Sequence, residues 1–281
     1  MNHAIKIENL SVKLPGFELK NVNMNIPKGI ILGLIGKNGA GKTTLLKTMT
    51  DVYAPTQGSI IYGDKEMQGN AREIKMELGI VYDSLFYPPG LKAQKVAKLI
   101  APFYKNFDMK KWEMLMQRFQ LDMHKAPAQY SKGMQMKFML AMALAHNPKI
   151  LILDEPTAGL DPAARAEMMD IIQEFMENEE NTVIFSTHIT SDLDKIADYI
   201  ALISQGELRY MEEKEQLMEM FSLVQIEKHT MSKQIEDKII GMKENAFGYV
   251  GLTRERDFFV QMPEAKLTRA TLEDLLIYQN E

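Results

Sequence analysis

No cysteine occurs among the 281 residues, so no disulfide framework holds this chain and nothing argues for an oxidising compartment. Long hydrophobic runs are missing as well. No uncharged apolar stretch approaches the roughly 18–20 residues that a membrane-spanning helix needs. The first residues, Met1-Asn2-His3-Ala4-Ile5-Lys6, lack the apolar core of a secretory signal. There is no excess of basic charge: the formal net charge is −5, which removes the electrostatic footprint of a nucleic-acid binder. No segment is low in complexity, and nothing repeats at a solenoid period. The expectation is a soluble intracellular enzyme, long enough for one large or two smaller domains with a real core.

What is present is concentrated in a few short motifs. Lys149-Ile150-Leu151-Ile152-Leu153-Asp154-Glu155 reads as a buried strand that delivers two adjacent carboxylates to its exit, where open α/β sheets place their ligand sites. Such a pair can divide labour, one acid holding a metal through its water shell and the other orienting or deprotonating a water. Taken alone, a strand ending in two solvated acids is the plain alternative. Upstream, Gly36-Lys37-Asn38-Gly39-Ala40-Gly41-Lys42-Thr43 fits the phosphate-loop pattern G-x-x-x-x-G-K-[ST]. An apolar strand, Ile30 to Ile35, precedes it, and a helix through Thr44–Met49 follows, which is the context the motif requires. Glycines let backbone N–H groups turn inward around phosphate oxygens, and the helix N-terminus adds positive potential. Lys42 can reach the β- and γ-phosphates, the Thr43 hydroxyl can ligate Mg²⁺, and Thr44 supports the loop. Together the two motifs imply a nucleoside triphosphatase.

Two further signals are weak alone. Tyr130-Ser131-Lys132-Gly133-Met134-Gln135 stands just before an apolar helix, Phe138 to Ala145, with Ser131 as its N-cap candidate. Phe185-Ser186-Thr187-His188 closes another β-rich run, from Thr182. In order and spacing, the series Gly36–Thr44, Ser131–Gln135, Ile150–Glu155, Gly159–Asp161 and His188 strongly resembles the ATP-binding subunit of an ABC transporter, over roughly residues 4–211. The resemblance implies a P-loop NTPase core, ATP and Mg²⁺ as ligands, and two nucleotide-binding domains sandwiching two ATP molecules. It implies that Glu155 positions the attacking water, that Asp154 supports Mg²⁺, and that His188 contacts the γ-phosphate and links it to Glu155. It places Asp161 in a loop at the subunit interface, and Ser131 and Gly133 in a signature that closes over ATP bound to the opposite subunit. With no spanning segment here, the membrane pathway would come from a separate multi-pass permease. The chain would be cytoplasmic, held at the inner face of the membrane, paired with itself or with a paralogue.

Three departures from the family pattern stand out. Asp83 occupies the place of a usual glutamine, where a carboxylate can approach Mg²⁺ or its waters but cannot donate as an amide can; a solvent-facing acid without a role is the plain alternative. The signature carries Lys132 and Met134 in the second and last positions of the usual Ser-Gly-Gly-Gln, a Ser-Lys-Gly-Met form that looks like a subgroup of bacterial exporters. The usual adenine-stacking aromatic is replaced near Leu14, leaving Phe17 as either its substitute or a core residue.

Three regions follow. Residues 1 to about 82 carry short strands such as Ala4–Ile7 and Ser59–Tyr62. A helical subdomain spans about 83–145, with Val96, Leu99, Ile100 and Phe103, then Trp112, Leu115, Met116 and Phe119, at helical spacing; in the family its surface meets the membrane subunit. Residues 149–211 return to alternating strands and helices, one helix presenting Met168, Ile171, Ile172 and Phe175. The ATP-binding domain is thus drawn as 1–211 and a small α+β extension as 212–281. In the extension, Met211–Glu215 reads as a solvated helix start, Phe221–Glu227 and Asp257–Gln261 as β-like, and Thr271–Tyr278 as a final helix with an S/T-x-x-D/E cap. It could regulate, dimerise or cover an edge. The 22 methionines fill gaps in the core or make an adaptable docking surface. The functional expectation is ATP hydrolysis that powers export through the permease. A soluble ABC-type ATPase of nucleic-acid or translation work is the alternative, and a P-loop kinase would not need the Ser131 motif.

Overall fold

Runs of Ile, Leu and Val predict strands buried on both faces, and such strands form the centre of the molecule. In the computed structural model, which describes residues 3–279, six strands lie in the order Glu207–Glu213, Tyr199–Ser204, Ile31–Ile35, Thr182–Thr187, Ile150–Asp154 and Leu78–Val81. Neighbours are parallel except for the first pair. Every residue of Ile31–Ile35 and Ile150–Asp154 is buried. Alternate side chains serve opposite cores: Leu151 and Leu153 join one apolar cluster, Ile150 and Ile152 the other. The first cluster holds the middle helices together with Pro162–Met176 and Thr190–Ile196. The second holds the helix Lys42–Met49 and an antiparallel sheet ordered Phe17–Pro27, His3–Leu14, Gln57–Tyr62, Lys65–Glu66. This is the α/β P-loop architecture expected.

Parallel strands end on the same edge, and the register sets what meets there. Ile35 lies beside Thr187 and Leu202, Asp154 beside Ser186, and Val81 beside Leu153. The phosphate loop, the Asp154–Glu155 pair, His188 and Asp83 therefore all leave the sheet along one rim.

The middle segment is helical as expected, through Ala93–Ile100, Met109–Arg118 and Lys132–Leu144. The last of these starts six residues before the expected Phe138. Trp112, Leu115, Met116 and Phe119 are buried. The first helix differs from its pattern. Ala93, Val96 and Ala97 form its buried face, while Leu99 and Phe103 are 57% and 72% exposed. Pro102 tightens the chain into a 3₁₀ turn, Ala101–Phe103, and the 3.6-residue period ends there. Met116, Met136, Met139 and Met142 are core residues and Met114 is exposed, so gap-filling accounts for most methionines of this segment.

Beyond residue 211 the edge strand continues to Glu213, and the helix Lys214–Glu219 follows; the expected helix start at 211–213 is strand. A separate antiparallel sheet then forms, ordered Ile240–Asn245, Gly248–Thr253, Ser222–Ile226, Ala265–Arg269. The expected β-like stretch Asp257–Gln261 is instead a helical turn, Arg256–Val260, which buries Phe259 in a small core with Val224, Ile226, Ile235 and Ile239 and leaves Val260 exposed. A short aromatic run fits either element by pattern, and tertiary burial decided for helix. The final helix, Leu272–Tyr278, has the expected capping box, with Thr271 Oγ1 accepting from the Asp274 N–H at 3.2 Å and the Thr271 N–H donating to Asp274 at 2.9 Å. It packs against the helix Thr190–Ile196 and shares the main core.

Candidate functional site

The strand Ile31–Ile35 opens into a loop that only glycine could close. A Cβ on Gly36 would lie 2.4 Å from the Ile203 carbonyl oxygen, so its absence lets the loop sit on the neighbouring strand. Gly41 has φ +115° and begins the helix Lys42–Met49. A Cβ there would meet the Phe17 ring at 2.8 Å; Phe17 thus stands against the phosphate loop, half-buried. The loop is braced by the Ala40 N–H donating to Lys37 O (3.0 Å) and the Gly206 N–H donating to Ala40 O (2.9 Å). Asn38 and Gly39 form its exposed tip. Thr44 is partly buried and its carbonyl accepts from the Thr48 hydroxyl at 2.8 Å, a support position.

Lys42 is only 5% exposed. Its ammonium donates to Gly36 O at 2.7 Å and stands 3.4 Å from Glu155 Oε1. Asp154 is buried, with both carboxylate oxygens held: Thr43 Oγ1 donates to one at 2.8 Å and Ser186 Oγ to the other at 3.0 Å. Burial pushes the Asp154 carboxyl above the usual range. The two hydroxyls oppose that, and the charges of Asp83 and Glu155 push it further up. Glu155 has φ +50°, a left-handed conformation uncommon for a residue with a Cβ. Its backbone N–H donates to Ser186 O at 2.9 Å. Its side chain bridges two cations or donors, Lys42 at one oxygen and His188 Nδ1 at the other, 2.7 Å away. Asp83 is exposed and accepts from the Ser84 hydroxyl at 3.2 Å.

Ser131, Gly133 and Asp161 assemble elsewhere. Ser131 caps the helix Lys132–Leu144, accepting from the Met134 N–H at 3.3 Å. Asp161 caps Pro162–Met176, accepting from the Ala164 N–H at 2.9 Å, and backbone N–H groups hold its carboxyl below the usual range. The two caps adjoin: a Cβ on Gly133 would lie 3.2 Å from Leu160, and one on Gly159 would lie 3.6 Å from the Lys132 side chain. Among the described residues, no hydrogen bond or ion pair joins this second cluster to Lys42 or Thr43. Sequence reasoning missed two contributors to the first cluster. Ser186 had its signal in the Ser-Thr-His run; Gly206 had none at short range, since it reaches Ala40 only through the fold.

The family model described as ABC transporter matches residues 19–158, and one described as AAA domain, putative AbiEii toxin, Type IV TA system matches 126–193. The lantibiotic transport ATP-binding protein SrtF of Streptococcus pyogenes is 36% identical over 208 residues, covering 73% of this chain and 89% of that one. The bacitracin transport ATP-binding protein BcrA of Bacillus licheniformis is 33% identical over 215 residues, covering 74% and 69%. Among solved structures, the ATP-binding cassette MJ0796, a dimer in a post-hydrolysis state with ADP and Pi, matches with a TM-score of 0.67 at 25% identity, over 74% of this chain and 98% of that one. The chain belongs to the ABC transporter family. It is an ATP-binding subunit and an ATP hydrolase of that family, and it serves ATP-driven transport.

Proposed function

We propose that two such chains close over two ATP molecules and that this closure drives export of a peptide antibiotic or similar amphiphile through a separate permease. The observation that carries the catalytic reading is the Lys42–Glu155–His188 bridge, with contacts of 3.4 and 2.7 Å. Lys42 and the N–H groups of the loop neutralise phosphate oxygens, and the N-terminus of Lys42–Met49 adds to that potential. Phe17 offers a ring to the adenine. Glu155 accepts a hydrogen bond from the attacking water and withdraws its proton, while His188 holds Glu155 from one side and faces the γ-phosphate on the other.

The residues present fit Mg²⁺. Thr43, Asp154 and Asp83 offer oxygen donors, the set that hard cations take, and the like charges of Asp83 and Glu155 on the buried Asp154 are what a cation there relieves. Held by these oxygens, Mg²⁺ would supply neutralisation of phosphate charge. The relatives named for lantibiotic and bacitracin transport support the cargo class, and they do not favour nucleic-acid or translation work. Among the described residues, no helix is long and apolar enough to cross a membrane. The exposed Phe86, Leu99 and Phe103 of the helical segment are apolar contacts suited to a permease at the inner face of the membrane. We take residues 1–219 as the motor and the sheet from Ser222 onward as the extension, since a boundary at 211 would cut a strand.

The test is Glu155→Gln. It keeps shape and MgATP binding, lowers kcat by about 10²–10⁴-fold, and leaves a longer-lived closed dimer that gel filtration with ATP resolves. Wild-type turnover in that variant rejects Glu155 as the essential carboxylate.

A further inference from the structure

Behind the exposed contact between Glu155 and His188 lies a second contact, buried and parallel to it. The Thr157 hydroxyl donates to Asp192 Oδ2 at 2.7 Å. Thr157 is fully buried and Asp192 is 3% exposed. Thr157 stands two residues after Glu155, and Asp192 four residues after His188. The same carboxylate faces Arg165 at 3.7 Å, and Arg165 lies on the helix that Asp161 caps. One buried acid therefore ties together the turn that carries Glu155, the helix that follows His188 and the helix that follows Asp161.

A buried carboxylate is costly to desolvate, and apolar side chains of equal volume would fill the space at no such cost. The groups that Asp192 meets are protein groups, the Thr157 hydroxyl and the Arg165 guanidinium, so its use lies in geometry. The need for geometry is plain at Glu155, whose φ of +50° has to be imposed by surrounding structure. The turn after it is held by the Ala158 N–H donating to Glu155 O and the Leu160 N–H donating to Thr157 O, both at 3.1 Å. The Thr157 side chain fastens that turn to the helix that follows His188, beside the contacts that Glu155 itself makes with Ser186 and His188.

We propose that Asp192 and Thr157 are positioning residues for ATP hydrolysis: their buried hydrogen bond keeps Glu155 and His188 in register. This rests on the roles proposed above for those two residues. A misplacement of about 1 Å in a reacting group costs on the order of 10² in rate. Thr157→Val, which removes only the hydroxyl, lowers kcat by roughly 10–100-fold. The KM for ATP stays within about twofold, because Lys42 and Phe17 bind from other elements, the helix Lys42–Met49 and the strand Phe17–Pro27. Thr157→Ser, which keeps the hydroxyl, restores kcat. Adding Asp192→Asn to Thr157→Val lowers kcat little further, as expected for two members of one interaction.

The experiment measures kcat, KM and melting temperature of the purified chain for these variants, with Glu155→Gln and Val224→Ala alongside. Val224 lies in the small core of the extension, so that variant reports what a general loss of stability does to turnover. The inference is overturned if folded Thr157→Val keeps wild-type kcat, if Thr157→Ser fails to rescue it, or if Val224→Ala loses the same kcat for the same fall in melting temperature. Should Thr157→Val not fold, Asp192→Leu carries the test: it keeps about the same shape and removes both acceptors, and a kcat reduced with unchanged KM supports the tie while wild-type kcat rejects it. A Glu155→Gln variant of wild-type activity removes the catalytic reading itself. An inactive Glu155→Gln beside a fully active Thr157→Val removes only the tie.

Discussion

At the scale of single residues, the site is built from side chains placed against their own preferences. Asp154 is a carboxylate sealed from solvent and pressed by the charges of Asp83 and Glu155; Glu155 holds a backbone conformation that suits glycine. Both features cost folding stability, and on the proposed function both are used: the first holds an acid where a cation would bind, the second aims an acid at the rim of the sheet. Phe17 is the opposite case, a ring kept half-exposed beside Gly41 where a residue of the core would be covered. Stacking of an aromatic ring on a base contributes about 1–3 kcal/mol. Phe17→Ala is therefore expected to weaken ATP binding by roughly 5–150-fold, while Phe17→Tyr retains it. Titration with a fluorescent ATP analogue reads this directly, and equal affinities for all three proteins would return Phe17 to the core.

At the scale of elements, short helices depend on their ends. Leu272–Tyr278 has only seven residues, and its capping box satisfies the N–H groups of Thr271 and Asp274. Thr271→Ala should cost about 1 kcal/mol, a fall of about 2–4 °C in melting temperature for a chain of this size. Since this helix packs on Thr190–Ile196, the ATPase core and the extension should melt together rather than in two steps, which calorimetry checks. This element was legible in the sequence because a cap is written within four residues. The phosphate loop and the acidic strand were legible for the same reason: each is a local pattern followed by its own strand or helix. What sequence could not supply is of longer range. The Arg256–Val260 turn is a helix because Phe259 has a core to enter. Thr157 meets Asp192 across 35 residues. The exposure of Leu99 and Phe103 follows from the narrow buried face of one helix and the proline beyond it.

At the scale of the whole molecule, the two clusters of site residues are halves of one proposed sandwich. Lys42 and Glu155 form one half, Ser131 and Asp161 the other. If the halves meet across two chains, then Lys42→Ala and Ser131→Arg are each inactive alone. Mixed, they should regain hydrolysis, because one site of each mixed dimer then has both halves intact. The gain is measured as phosphate release against mixing ratio. Full activity of Ser131→Arg on its own would show that no such sandwich is needed.

The parallel sheet also sets an order of assembly during synthesis. The strand that leads into the phosphate loop ends at Ile35, yet it pairs with Thr182–Thr187 and Tyr199–Ser204. At ~5–20 residues per second, the ribosome needs on the order of ten seconds or more to deliver those partners. The hairpin of His3–Leu14 and Phe17–Pro27 can form early, since its contacts are local. The loop that grips phosphate is made among the first residues and becomes rigid among the last. Nucleotide capture by the nascent chain is therefore expected to wait until these strands, and the histidine turn between them, have emerged.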